Sequence, residues 1–386
     1  MAFYEKSEVN VHVSSHRDSN EEIPLFNVPM GIYLRLHSKQ NNKFIQRFMR
    51  RFSYCASVTF HLFTAYMFIA LAVHVYYHRH FRSGFFYLFI NISVIVLWYS
   101  MLFQRRKTKD LLIFLESHAQ ISGKFLMKSH LVLSNLIFFI MCVLPTLLAI
   151  FYVYRVHESK RTVTFWMLNY EFQEKKYLVF GAFVGGFVYY IINMAYPFLF
   201  TVSICILIHR YGLLLLQFNN VLKTADFSVM SIKCVDIIND YTRIEKKIRL
   251  LSEVFSVPLF VMLMISFFDL YIAMFLYLRT NSPFVNWPEI FLNALTSLVI
   301  LFSLTLFGSK IPEYMLQIQK TAKLLINKCD VSRSEGVKQL YLLRRILKND
   351  VIYLSVGGMV DLKKSLLLSA AGTFFTYGLL LQWRST

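Results

Sequence analysis

The sequence predicts an all-α membrane protein: seven transmembrane helices, a cytoplasmic N-terminus, an extracellular C-terminus, and cytoplasmic helical extensions that form a bundle packing within one subunit or also joining subunits. Three observations predict it. First, 56% of the 386 residues are hydrophobic and the mean hydropathy is +0.49. The apolar residues gather in blocks of about 20, the length a helix needs to cross a hydrocarbon core roughly 30 Å thick. Second, the formal charge of +19 is unevenly placed: 32 of the 41 Lys and Arg lie in residues 1–51, 105–129, 209–253 and 309–364, which are alternate segments between blocks. A nucleic-acid surface would gather its charge in one patch, whereas this alternation follows the positive-inside rule and fixes the orientation. Third, Cys55, Cys142 and Cys205 fall in spans, and Cys234 and Cys329 in cytoplasmic loops, so no cysteine faces the oxidising side. That absence and the orientation argue against a G-protein-coupled receptor.

Residues 1–51 hold charges, Ser, Asn and His without an apolar run. They read as a disordered cytoplasmic tail with no cleavable signal, so the first span acts as the insertion signal. Residues 52–308 carry spans one to six, near 53–77, 84–104, 131–154, 177–208, 254–278 and 289–308. The fourth is too long for one crossing and is expected to continue into water as helix, beginning a cytoplasmic extension over 209–253. There Ile237, Tyr241, Ile244, Ile248, Leu251 and Phe255 recur in steps of four and three, one apolar stripe on a helix leading into span five, with Pro258 marking a kink or boundary. Residues 309–364 repeat the pattern with Ile311, Met315, Ile318, Ala322 and Leu325. Ser332 and Glu335 then have capping-box spacing before a second helix ending near Lys348, and Gly357-Gly358 breaks the chain. Residues 365–386 are the seventh span and a short outer tail. Gln382, an amide at the end of a membrane helix, needs either a neighbouring helix or pore water.

Candidate chemistry is sparse. His74, His78 and His80 cluster, but no second histidine group accompanies them; no metal or cofactor is implied, and no nucleotide-binding or hydrolase motif points to an enzyme. The single sequon, Asn91-Ile92-Ser93, lies inside span two. Asp269 is the one acid within a span, at a cost of about 2.5–3.5 kcal/mol unless solvated or paired. At its depth lie Asn91, Thr146, Tyr189, Tyr190, Asn193, Asn293 and Thr296. Together they either line a small-molecule pocket open to the outside or hydrogen-bond between helices. Gly181 with Gly185, and Ala182 with Gly186, read as close helix packing.

The end of the chain resembles the signature of insect gustatory receptors. Gly358-Met359-Val360-Asp361-Leu362 matches the Gly-x-x-acidic-aliphatic segment before the last helix, and Thr376-Tyr377, Gly378 to Leu381 and Gln382-Trp383 match its close. Two departures stand out: four residues rather than five separate Tyr377 from Gln382, and Trp replaces Phe. The resemblance covers about thirty residues by motif, and the span count, orientation and long cytoplasmic loops match beyond it.

The resemblance implies a tetrameric ligand-gated cation channel in the plasma membrane of chemosensory neurons. It would be built from this chain alone or with other gustatory receptors, among membrane lipid, and would need no G protein. Gln382 would line the pore, Trp383 would be the gating aromatic or an interfacial belt residue, and Leu379 would sit one turn below. The ligand would be a small-molecule tastant in the outer half of the bundle. Gly378 stands where the sugar-responsive branch has Glu, favouring a bitter or pheromone-type ligand over sugar. An odorant-receptor-type channel, a G-protein-coupled receptor and a transporter are the alternatives.

Overall fold

The computed structural model describes residues 43–78, 81–119, 143–154, 174–224, 227–279, 287–328 and 334–385. The N-terminal tail, Cys142, His80, Trp166 and Ser332 lie outside them, as do the side chains of His74, His78, Gln382 and Trp383. The long elements are helices: α1 (Lys43–His78), α2 (Phe81–Phe103), α3 (Arg105–Ala119), α4 (Val143–Tyr154), α5 (Lys175–Tyr190), α6 (Tyr196–Thr224), α7 (Phe227–Arg279), α8 (Trp287–Gly308), α9 (Lys310–Lys328), α10 (Ser334–Lys348) and α11 (Ser365–Ser385).

Among the described residues, three helical stretches are long and apolar enough to cross a membrane: Lys176–Thr224, Val235–Phe275 and Ile290–Asn327. The pair Leu88–Phe103 and Arg105–Leu115, bent by 63°, makes a fourth if taken as one span. Shorter apolar helices, Ser57–Val73, Val143–Tyr154 and Ser365–Leu380, occupy the positions of predicted spans one, three and seven.

The fourth block does continue as helix. α5 and α6 join through a single π-helical turn, Ile191–Ala195, in which the Tyr196 N–H reaches back five residues to the Ile191 carbonyl. Pro197 follows directly. It has no N–H for the carbonyl of Asn193 four residues earlier, and its ring would crowd that carbonyl in a regular turn, so a widened turn relieves both problems. α7 runs 53 residues, about 80 Å, straight through Pro258. Its stripe is buried at Tyr241, Ile244, Ile248, Leu251 and Phe255.

That stripe organises a helical base. α3, the second half of α6, the first half of α7, α9 and α10 pack around it, with Ile311, Met315, Ile318 and Ala322 of α9 fully enclosed. Tyr211 fills the space between α6 and α3 and donates its hydroxyl to the Leu111 carbonyl at 3.1 Å. A polar knot ties three helices: the buried Glu245 of α7 accepts from Arg249 one turn on and from the Asn349 side-chain amide, while the Asn349 carbonyl accepts from Gln319 of α9. A Lys107–Glu253 ion pair fastens α3 to α7. The small residues of α5 behave as packing positions: Ala182 is buried, and a Cβ on Gly186 would lie 3.2 Å from the Tyr152 ring of α4.

Between α10 and α11 the chain forms a feature the sequence did not foretell, an antiparallel hairpin of β1 (Ser355–Val356) and β2 (Val360–Asp361). Gly357 and Gly358 turn it with φ of +61° and +71°, the left-handed region that a Cβ disfavours. The hairpin docks on α7 just before Pro258. The Gly357 N–H donates to the Ser256 carbonyl, and Ser252 Oγ bridges the Tyr353 carbonyl and the Ser355 N–H. Gly357→Ala adds a left-handed strain of about 1–2 kcal/mol to a Cβ 3.2 Å from the Phe260 ring, so thermal unfolding is expected about one to three degrees lower than in the wild type.

Candidate functional site

Asp269 of α7 accepts a hydrogen bond from Ser297 Oγ of α8 at 3.2 Å, so the membrane acid has a partner on the neighbouring helix. Beside it, Phe268 stacks on Phe89 of α2, ring centroids 3.8 Å apart, and Asn91 is buried two residues further along α2. Tyr189 and Tyr190 meet edge to face at 5.4 Å and pack with Leu144 and Leu148 of α4, Met194, and Leu292 of α8. α8 therefore reaches both groups: Leu292 packs on the cluster that holds the tyrosines and Ser297 bonds the acid, five residues or about 7.5 Å apart along the helix axis. Thr296 instead donates to the Leu292 carbonyl of its own helix at 2.7 Å. Thr146 and Asn293 are half-buried on α4 and α8. Asn193 lies in the π turn, and both polar atoms of its amide are shut off from solvent without a hydrogen-bond partner among the described residues.

α11 is covered along one narrow stripe. Leu366, Ala370, Phe374 and Gly378, spaced by four, face α7 and α8; Phe374 stacks on Phe267 at 5.6 Å, and a Cβ on Gly378 would meet Met274 Sδ at 3.3 Å. Leu367 is half-buried beside the stripe, and the other described side chains of the helix are uncovered. Leu368 is 78% exposed and Phe375 72%, and Ser369, Gly372, Thr373, Thr376 and Leu379 are exposed with them. The Thr373 and Thr376 hydroxyls donate to the Ser369 and Gly372 carbonyls of their own helix, which leaves their methyl groups and oxygen lone pairs outward.

No protein-family model matches the chain, and no curated protein sequence does. Solved structures do. The olfactory receptor OR5 from Machilis hrabei in complex with eugenol superposes with a TM-score of 0.60 at 13% identity, over 92% of this chain and 97% of that one. The same receptor in a second structure gives 0.58 at 16% identity, over 91% and 96%. The chain has the insect olfactory receptor fold.

Within this olfactory receptor fold, the base of α11 is clamped to the α8–α9 junction. Leu362, fully buried, sits against Gly308 at the end of α8, where a Cβ would come within 2.9 Å of it. Lys364, the residue before α11, pairs with Glu313 of α9 at 2.6 Å, and Lys310 pairs with the same carboxylate at 3.1 Å. Lys363 reaches Asp361 at 2.9 Å and lies over the Tyr353 ring. None of Ser297, Leu362, Gly308 or Glu313 was singled out from the sequence. A serine inside an apolar helix carries no signal, and Leu362 was visible only as the last position of the Gly358–Leu362 motif.

The bond from Lys364, aided by Lys310, holds the Glu313 carboxyl below the usual carboxylate range against a smaller opposing effect of burial. A lowered folded pKa gives stability that is present above the unfolded value, near 4.3, and lost as pH falls through the folded one. The clamp is therefore expected to hold unchanged down to mildly acid pH. Melting curves of wild type and Glu313→Gln should differ modestly at pH 7, within the range of a half-exposed pair, and converge only as the pH falls below the usual carboxylate range.

Proposed function

We propose that this chain is a subunit of a tetrameric, ligand-gated, non-selective cation channel of the gustatory receptor type, opened by a small-molecule tastant. It works at the plasma membrane of chemosensory neurons, with seven spans, a cytoplasmic N-terminus and an extracellular C-terminus. The observation that carries this reading is the uncovered face of α11. A single-span helix against lipid would be apolar there, but positions 369, 372, 373 and 376 are Ser, Gly, Thr and Thr. Four such faces around one axis would line a wet pore, continued outward by Leu379, Gln382 and Trp383. The likeness to a receptor solved with eugenol supports a small-molecule ligand, and the gustatory assignment rests on the Thr376-Tyr377 and Gln382 ending.

The ligand sits among Asp269, Asn91, Thr146, Tyr189, Tyr190, Asn193, Asn293 and Thr296, bitter or pheromone-type rather than sugar. Contacts that strengthen in the open arrangement move the outer end of α11 from the axis. The helical base, including 209–253 and 309–364, is the cytoplasmic anchor that holds subunits together. No G protein is needed, since ligand site and pore are in one assembly.

Whole-cell current from cells expressing the chain, alone and with other gustatory receptors, tests the proposal against a panel of bitter compounds, sugars and amines. A ligand-dependent cation current is expected. Accessibility of the N-terminus from outside would reverse the orientation and defeat the channel reading. Asp269→Asn keeps the Ser297 hydrogen bond possible but removes the charge. For a cationic ligand, the half-maximal concentration is expected to rise about ten-fold, since losing a hydrogen bond to a charged group costs about 1.5–3 kcal/mol. Unchanged potency at unchanged surface expression would leave Asp269 a helix-anchoring residue.

A further inference from the structure

Among the described residues, Asn193 is the side chain whose donor, Nδ2, and acceptor, Oδ1, are both buried without a partner. That is a costly state for a group with two donors and an acceptor. The π turn places this group between two packed faces. On one side Ile192 and Tyr196 pack into the main core, where Tyr196 meets Phe60 and Trp98; on the other, Tyr190 and Met194 pack with Leu148 and Leu292. Both neighbouring faces are apolar and aromatic, so a flat apolar molecule with one polar edge matches the surroundings.

From this we infer that Asn193 is the specificity-determining contact for an uncharged ligand bearing a donor and an acceptor side by side: a lactam, a primary amide, or an equivalent edge of a heteroaromatic ring. The ligand N–H donates to Oδ1 and its carbonyl accepts from Nδ2, and the ring lies among the tyrosines. This rests on the ligand-pocket reading above and adds the ligand's chemistry to it. A site whose polar group is left unpaired by an analogue lacking the matching group discriminates strongly against that analogue.

The test uses a matched pair, 2-quinolinone and N-methyl-2-quinolinone, which differ in the one N–H. Binding is read by thermal shift of the purified chain in detergent, and gating by whole-cell current. The N–H compound is expected to bind about ten- to a hundred-fold more tightly. Asn193→Leu, similar in shape and without polar atoms, is expected to melt higher than wild type, because an orphan amide is gone, and to bind the two compounds equally. Binding of neither compound by the wild type, equal binding of both, or a preference that survives in Asn193→Leu would each overturn the inference. A preference seen in the thermal shift without any current would keep Asn193 in its role and count against the channel.

Discussion

Leu362→Ala is expected to cost about 2–5 kcal/mol, with a loss of surface expression to match, the largest stability effect of any single truncation near α11. Leu362 is 0% exposed, fixed by its own N–H to the Leu354 carbonyl at 2.9 Å, and packed against Gly308 at the point where α8 passes into α9. Truncation leaves a void that the hairpin cannot collapse into, since Ser252 and Ser256 of α7 hold its backbone. The converse change overfills the same place. Gly308→Ala sets a Cβ 2.9 Å from both Cβ and Cδ1 of Leu362, so backbone must move, at about 1–3 kcal/mol. The two errors have opposite signs in volume, so Gly308→Ala with Leu362→Ala should be more stable than the sum of the single losses by about 1 kcal/mol or more. Strict additivity in a double-mutant cycle would show that the two residues do not share one contact.

The same region shows what the sequence could and could not tell. The stripes through Ile237 to Phe255 and Ile311 to Leu325 were legible because burial on one side of a helix repeats with its period; their end members Ile237 and Leu325 are half-buried and every other member is buried. The hairpin was not, because strands of two residues have no period to read, and Gly357-Gly358 looked like a break where it is a left-handed turn. α3 appeared only as a basic loop, although Leu111, Leu112 and Leu115 of it are buried in the base.

Around Asp269 and the tyrosine pair, residue type was read more easily than partnership. Thr296 was a natural candidate by composition, yet its hydroxyl serves its own helix, and Ser297 beside it holds Asp269. Tyr189 and Tyr190 do meet, around Leu148 and Leu292. The π turn escaped because hydropathy does not register one extra residue per turn; Pro197 within a long apolar block was the available signal.

Leu379→Ser is expected to open the proposed channel without ligand, raising resting current about ten-fold or more. Leu379 is 53% exposed and continues the uncovered row of Gly372 and Thr376 at helical spacing, with position 383 next in line. In the proposed tetramer four copies of this side chain meet at the axis and close the pore by excluding water. Withdrawing one leucine from water is worth about 1.5–3 kcal/mol, and about 1.4 kcal/mol already shifts an open–closed equilibrium ten-fold, so four hydroxyls in place of four isobutyl groups should suffice. Ala370→Ser makes a similar change on the covered stripe, where Ala370 is 4% exposed, and should leave resting current alone. Accessibility gives a second reading that does not depend on current at rest. A water-soluble thiol reagent should modify Thr376→Cys and Leu379→Cys, faster with agonist present, and leave Ala370→Cys untouched. A leak from Ala370→Ser with silence from Leu379→Ser, or modification of Ala370→Cys alone, would move the conduction path to the other side of α11.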